Sequence, residues 1–235
     1  MITLEGRSIS SGKAKGEAVV LDSDFSFLGG VDPATGDLRV SPHVNIKGKV
    51  LVFPRGRGST VGSFTMYDLK VKGTAPAAII NREAETIVTT GAVISSIPMV
   101  DRVDISVLQN GDRVEVDGTL GTVGLPDLCP MEVATSILVK DGRVLMLKRS
   151  QAMKTFPGQW GGVSGTMEPG ESPEQTAIRE IEEETGLSVS KPVRAGRPIL
   201  VRHGRDVWTV HTLLFHLETG EPELNWENSD HAWMN

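Results

Sequence analysis

Glu180, Glu183 and Glu184 stand at i, i+3 and i+4, the spacing that puts side chains on one face of an α-helix. Like charges so placed repel, at about 0.2–0.5 kcal/mol per pair. A hard divalent cation such as Mg²⁺ or Mn²⁺ would reverse that penalty, because it takes carboxylate oxygens and accepts water and phosphate as further ligands. Such an ion lowers the pKa of a water that it binds. Taken alone, three glutamates read equally well as a solvated acidic surface.

The helix that must carry them is well punctuated. Ser172 is a candidate cap, Pro173 fits the first helical position, and Gln175 follows at capping-box spacing. Gly186 is a stop signal. Ala177, Ile178 and Ile181 share another face, which should meet a core. A loop rich in Gly and Pro covers 156–170. Before it, Glu132 to Val139 and Arg143 to Leu147 read as strands joined by an Asp141-Gly142 turn. Further strands are expected near 198–202 and 207–217.

The spacing around this helix carries a resemblance. Gly165, five residues, Glu171, seven residues and then Arg179-Glu180-Ile181-Glu182-Glu183-Glu184-Thr185-Gly186-Leu187 are similar to the Nudix box G-x5-E-x7-R-E-U-x-E-E-x-G-U, U being aliphatic, at every fixed position. The resemblance implies a loop–helix–loop in an α/β/α sandwich that hydrolyses a nucleoside diphosphate linked to another moiety, with Mg²⁺ or Mn²⁺. It implies Glu180, Glu183, Glu184 and the Gly165 carbonyl as metal ligands. Glu171 and Arg179 would be further catalytic residues, Arg179 orienting the glutamates. The segment Phe156 to Gly165 looks like the strand and loop leading into that box. The general base varies among Nudix families; Glu221, Glu223 and Glu227 are candidates, each also readable as a surface residue. The domain would span 132–235 and would lack the final helix common in the family.

A second stretch able to do chemistry is Phe53-Pro54-Arg55-Gly56-Arg57-Gly58-Ser59-Thr60, between an apolar strand and a predicted helix around Ser63 to Val71. Glycines let backbone approach a ligand, helix-start N–H groups attract anions, and arginines pair with phosphate or carboxylate. It is not a P-loop, since no Gly-Lys-Ser/Thr follows at the required spacing, and taken alone it reads better as a structural turn with exposed arginines. The elements around it are Lys49 to Phe53 and Ala77 to Ile80 as buried strands, and a hairpin over 113–123.

Here too a resemblance enters. Gly12-Lys13-Ala14-Lys15-Gly16-Glu17-Ala18, Phe25-Ser26-Phe27-Leu28-Gly29-Gly30-Val31-Asp32, Gly48 to Phe53, Gly56-Arg57-Gly58-Ser59 and Ala77 to Asn81 are similar to the small subunit, or swivelling domain, of the aconitase X family. Archaeal members of that family include the small subunit of phosphomevalonate dehydratase. The resemblance implies a swivelling β/β/α domain over 1–125, with Ser59 as catalytic base and Arg57 as a ligand for a substrate anion. It also implies a large partner subunit, in a heterodimer, that carries an iron–sulfur cluster. The reaction would be dehydration, of 5-phosphomevalonate in the archaeal version. A serine hydroxyl is a poor base unless N–H donors and cations stabilise its alkoxide.

Composition bounds these readings. The chain has 235 residues, 39% hydrophobic and 23% charged, as expected of one large or two small globular domains. A linker is predicted over 126–131. The one cysteine, Cys129, excludes an intrachain disulfide and an iron–sulfur cluster held by this chain alone. The net charge is −6; residues 1–126 carry 14 acids and 13 bases, so the acidic excess lies in the second part. Nucleic-acid binding is therefore not expected. No apolar run of 18 residues or basic, apolar leader is found, so no membrane association and a cytoplasmic location are expected. The expected class is a two-domain α/β protein acting on small phosphate and diphosphate substrates. The alternative makes the Nudix part a non-catalytic nucleotide sensor and the first domain an assembly module.

Overall fold

The computed structural model describes residues 1–39 and 43–235. It divides into two compact units, Met1–Cys129 and Pro130–Asn235. Among the described residues no helix is long and apolar enough to cross a membrane.

The first unit runs β1 (Ile2–Glu5), β2 (Arg7–Ser10), β3 (Lys13–Val20), a broken turn α1 (Phe27–Gly30), β4 (Val50–Arg55), α2 (Val61–Lys72), β5 (Ala78–Glu83), α3 (Thr86–Ile94), β6 (Met99–Asp101), β7 (Arg113–Asp117) and β8 (Thr122–Leu125). Its eight strands are ordered β1-β8-β7-β3-β4-β5-β6-β2. Strand β3 serves two halves of this sheet. Lys13 to Glu17 pair antiparallel with β7, and Ala18 to Val20 pair parallel with β4. The parallel strands β4 and β5 read as continuous apolar runs because their residues are covered on both faces; Val50 to Phe53 and Ala78 to Ile80 are fully buried. The expected β/β/α arrangement is present.

The second unit comprises β9 (Cys129–Lys140), β10 (Arg143–Arg149), β11 (Trp160–Gly161), β12 (Val163–Thr166), α4 (Pro173–Thr185), β13 (Arg194–Ala195), β14 (Ile199–His203), β15 (Asp206–His216) and β16 (Asn228–Met234). Strand β9 begins at Cys129, the last residue of the first unit, inside the stretch predicted as linker. Asp141 and Gly142 take φ of 51° and 75°, the left-handed pair that closes a tight hairpin. The central path is β11-β10-β9-β15-β13, with β12 on β9, β14 on β15 and β16 on β10.

Helix α4 packs through the face its sequence period predicts. Ala177 and Ile181 are fully buried against Leu138, Leu145, Leu147 and Phe215 of the sheet, with Ile178 at the margin. Burying Ile181 contributes about 1.5–3 kcal/mol. That anchoring fixes the rotation of the helix, and hence the direction of its glutamates.

Candidate functional site

In the first unit, Ser59 and Arg57 are exposed on the loop between β4 and α2. The loop is tied down from below. The Phe25 N–H donates to the Arg55 carbonyl at 2.9 Å, and the Arg57 N–H donates to the Phe25 carbonyl at 2.9 Å. Phe25, Phe27 and Phe53 pack edge-to-face beneath it, with centroids 5.1–6.2 Å apart. Gly58 has φ of 114°, and a Cβ there would lie 2.6 Å from Ser26 Oγ, so glycine is required. The Ser59 carbonyl accepts from the Gly62 N–H at 2.8 Å, while its hydroxyl receives only a long 3.4 Å contact from the Val61 N–H. Among the described residues the hydroxyl is thus held near a helix start by that one long contact. Beside it, α2 shows solvent Val61, Phe64, Tyr67 and Val71, all about half exposed or more.

In the second unit, α4 begins with the predicted capping box. Ser172 Oγ accepts from the Gln175 N–H at 3.2 Å, and the Ser172 N–H donates to Gln175 Oε1 at 2.8 Å. Gly186 closes the helix at φ 65°. One guanidinium then organises most of the acids. Arg179 reaches Glu171 through Nε (3.0 Å) and Nη2 (3.1 Å), Glu180 through Nη1 (2.7 Å) and Glu183 through Nη1 (3.2 Å). Its Nη2 also donates to the Thr166 carbonyl at 3.3 Å. The Arg179 guanidinium, with the Glu168 N–H and the Thr176 hydroxyl, holds the Glu171 carboxyl down to about 2. Glu171 in turn raises Arg179.

The three box glutamates differ in depth. The Glu183 side chain is 57% exposed, that of Glu180 is 13% exposed, and Glu184 is 3% exposed as a residue. Burial raises Glu180 against the pull of Arg179. Burial pushes Glu184 up to about 7, opposed by hydrogen bonds from Asn228 Nδ2 (2.7 Å) and the Ser164 N–H (3.4 Å). Gly165 lies directly against Glu180: a Cβ there would be 1.9 Å from the carboxylate carbon. The residues predicted as metal ligands are therefore neighbours, and all offer the hard oxygens that Mg²⁺ or Mn²⁺ prefers. Among the described residues, no three His, Cys, Asp or Glu side chains converge closely enough to hold an ion as they stand; Arg179 engages two of the three box carboxylates.

The other acids sort by geometry. Glu221 is taken by Lys140 (2.5 Å) and Trp233 Nε1 (3.2 Å), which lower it. Glu223 donates its N–H to Thr185 near the helix end. Glu227 is half-buried, and its charge raises both Glu180 and Glu184. A cavity of about 470 Å³ adjoins Gly165 and is lined by Arg149, Phe156, Trp160, Trp208 and Asn228, among others. Phe156 sits at φ 51°, an uncommon setting for a bulky residue, with its ring 5.5 Å from Trp208. Asn228 went unnoticed in the sequence, since nothing local marks an asparagine that meets a helix 44 residues earlier.

Comparison with known proteins accords with this geometry. The family model for the aconitase X swivel domain matches residues 3–125, and that for the NUDIX domain matches residues 130–235. The phosphomevalonate dehydratase small subunit of Thermococcus kodakarensis is 56% identical over 127 residues, covering 51% of this chain and 93% of its own length. That of Methanocella arvoryzae is 50% identical over 129 residues, covering 52% and 98%. The crystal structure of Thermococcus kodakaraensis aconitase X in its holo-form matches with a TM-score of 0.52 at 53% identity, over 53% of this chain and 98% of that one. The chain belongs to the aconitase X swivel family through residues 3–125 and continues as a NUDIX domain over residues 130–235.

Proposed function

We propose that the chain is the small subunit of an aconitase X-type hydro-lyase fused to a metal-dependent diphosphate hydrolase. The observation that carries the hydrolase reading is the contact between Gly165 and Glu180. A glycine is required there because a carboxylate occupies the space a Cβ would fill, which brings a backbone turn and an acidic helix together as one oxygen-rich cradle. Glu180, Glu183, Glu184 and the Gly165 carbonyl would hold Mg²⁺ or Mn²⁺. The ion, when bound, would neutralise the diphosphate and acidify a water. The chain's own residues do the rest. Arg179 keeps Glu171, Glu180 and Glu183 in register. Glu227 is the acid outside the motif whose charge reaches the site, which suits it to accept a proton. The aromatic wall of the cavity would hold the group carried by the diphosphate.

The dehydratase reading rests on the relatives' names and on the Ser59 loop. In it, Ser59 takes the proton from carbon and Arg57 binds a substrate anion, with 5-phosphomevalonate as substrate. One exposed cysteine, Cys129, cannot hold an iron–sulfur cluster, so the cluster belongs to the large partner subunit. The exposed apolar residues of α2 beside Ser59 suit a surface that meets that subunit.

Phosphate release from nucleoside diphosphate derivatives and isoprenoid diphosphates with Mg²⁺ or Mn²⁺, beside Glu183→Gln, tests the hydrolase. Turnover absent from the folded parent chain would leave the aromatic cavity as a nucleotide-binding module. Dehydration by the chain reconstituted with a large subunit tests the other half; activity that survives Ser59→Ala would leave the first domain an assembly module.

A further inference from the structure

We propose that Asn228 is a positioning residue of the hydrolase site, a neutral amide that aims the Glu184 carboxylate without cancelling its charge. The proposal rests on the metal-dependent reading of that site. Three acids there, Glu171, Glu180 and Glu183, already share the Arg179 guanidinium. Glu184 is the deepest of the box glutamates and makes no ion pair among the described residues. Its Oε2 accepts from Asn228 Nδ2 at 2.7 Å, and its Oε1 faces the Ser164 N–H at 3.4 Å. A buried carboxylate without a counter-charge is costly, and in a site built for stability alone a base pairs with it or an apolar residue replaces it. A carboxylate oriented by an uncharged donor keeps its full attraction for a cation, whereas an arginine in place of Asn228 would compete with the ion.

The backbone supports Asn228 in this task. It is 7% exposed and opens β16, where it stands opposite Arg149. The register with β10 slips between Lys148 and Arg149, so an extra residue separates Asn228 from the regular ladder that continues at Asp230. Such a bulge turns a side chain away from the direction that strict alternation would give it. The same approach is braced by the Asn225 N–H, which donates to the Glu184 carbonyl at 3.3 Å. Asn228 also lines the cavity beside Gly165, so one residue joins the wall of the cavity to the acidic helix.

The test needs no turnover. Mn²⁺ alone is titrated into the full chain and free Mn²⁺ is read by electron paramagnetic resonance, while tryptophan fluorescence checks that the domain is folded. Asn228→Leu, similar in size but without a donor, is expected to weaken Mn²⁺ binding about 10- to 100-fold. Asn228→His, which keeps an N–H at similar reach, should recover most of the affinity. If the leucine variant does not fold, Asn228→Ala, which also lacks a side-chain donor, takes its place with the same expected loss. A folded donor-less variant that binds Mn²⁺ as tightly as the parent chain, even with reduced stability, overturns the proposal and leaves Asn228 structural. Equal loss in the histidine variant overturns the donor role. A parent chain that binds no Mn²⁺ sinks the metal-dependent reading itself, and this proposal with it.

Discussion

Replacing Gly165 by alanine should damage the second domain through one identifiable collision. The new Cβ would stand 1.9 Å from the Glu180 carboxylate carbon and 2.4 Å from its Cγ. Glu180 must therefore leave its place, although Arg179 Nη1 holds it at 2.7 Å. Losing a hydrogen bond between charged groups costs about 1.5–3 kcal/mol, and an off-rotamer side chain a further 0.5–1.5 kcal/mol or so. Alanine restricts the unfolded chain and returns about 0.4–1 kcal/mol. The net loss is on the order of 2 kcal/mol. Trp160, Trp208, Trp226 and Trp233 all lie in the second unit, so tryptophan fluorescence follows that unit alone in the intact chain. With a urea dependence of about 2 kcal/mol per molar, the midpoint should fall by about 1 M. Mg²⁺-dependent phosphate release should fall about 30-fold if the same 2 kcal/mol is lost from the transition state. An unchanged midpoint together with unchanged turnover would refute the placement of Glu180 against Gly165 and the cradle built on it.

Three further outcomes are expected. Ser172→Ala removes one half of the α4 capping box and should cost about 1 kcal/mol, seen as a fall of about 0.5 M in the same urea midpoint. Arg7→Leu leaves the Asp101 carboxylate, whose side chain is fully buried, without its two bonds to Arg7. A loss of about 1–3 kcal/mol should speed amide exchange in β2 and β6 about 5- to 150-fold, and unchanged exchange would count against the pair. The Lys13 ammonium, with the Leu120 and Thr119 N–H groups, lowers Asp117 below the usual carboxylate range. Because its folded value is depressed, its stabilising share is complete above the ordinary carboxylate pKa and fades as pH falls through the lowered one. Carboxyl NMR should find Asp117 titrating below the ordinary aspartate value, and Lys13→Ala should move it back up.

Where a feature depends on neighbours in sequence, its residues announced it. Ser172, Pro173, Gln175 and Gly186 delimit α4 by local hydrogen bonds, and Ala177, Ile178 and Ile181 sort its faces by period alone. Asp141-Gly142 and the run from Val50 to Phe53 were equally legible. Two kinds of feature were not. Strands β11 and β12 sit in a glycine-rich stretch where only the family resemblance pointed to a strand, because their identity comes from pairing with β10 and β9 and not from apolar alternation. Strand β3 begins Lys13-Ala14-Lys15-Gly16-Glu17, too polar to read as sheet, and is held by β7 a hundred residues onward. The candidate site shows the same division. Its predicted metal ligands, together with Glu171 and Arg179, lie within one helix and the loop before it, while Asn228 comes 44 residues later in the chain and Glu227, beside it, was one of three candidates between which the sequence could not choose.

The double allegiance of β3 sets an order of events during synthesis. Its parallel partner β4 emerges from the ribosome about thirty residues after it, but its antiparallel partner β7 only after about a hundred, and Ile2 waits still longer for Leu125. Loop closure over such distances is slow, and an unpaired strand edge invites association with other chains. The first domain is therefore a late closer: its half-built sheet stays open until β8 has emerged, with β9 of the second domain following only a few residues behind. Translation slowed shortly after that point would let the first domain seal before the second supplies competing strands.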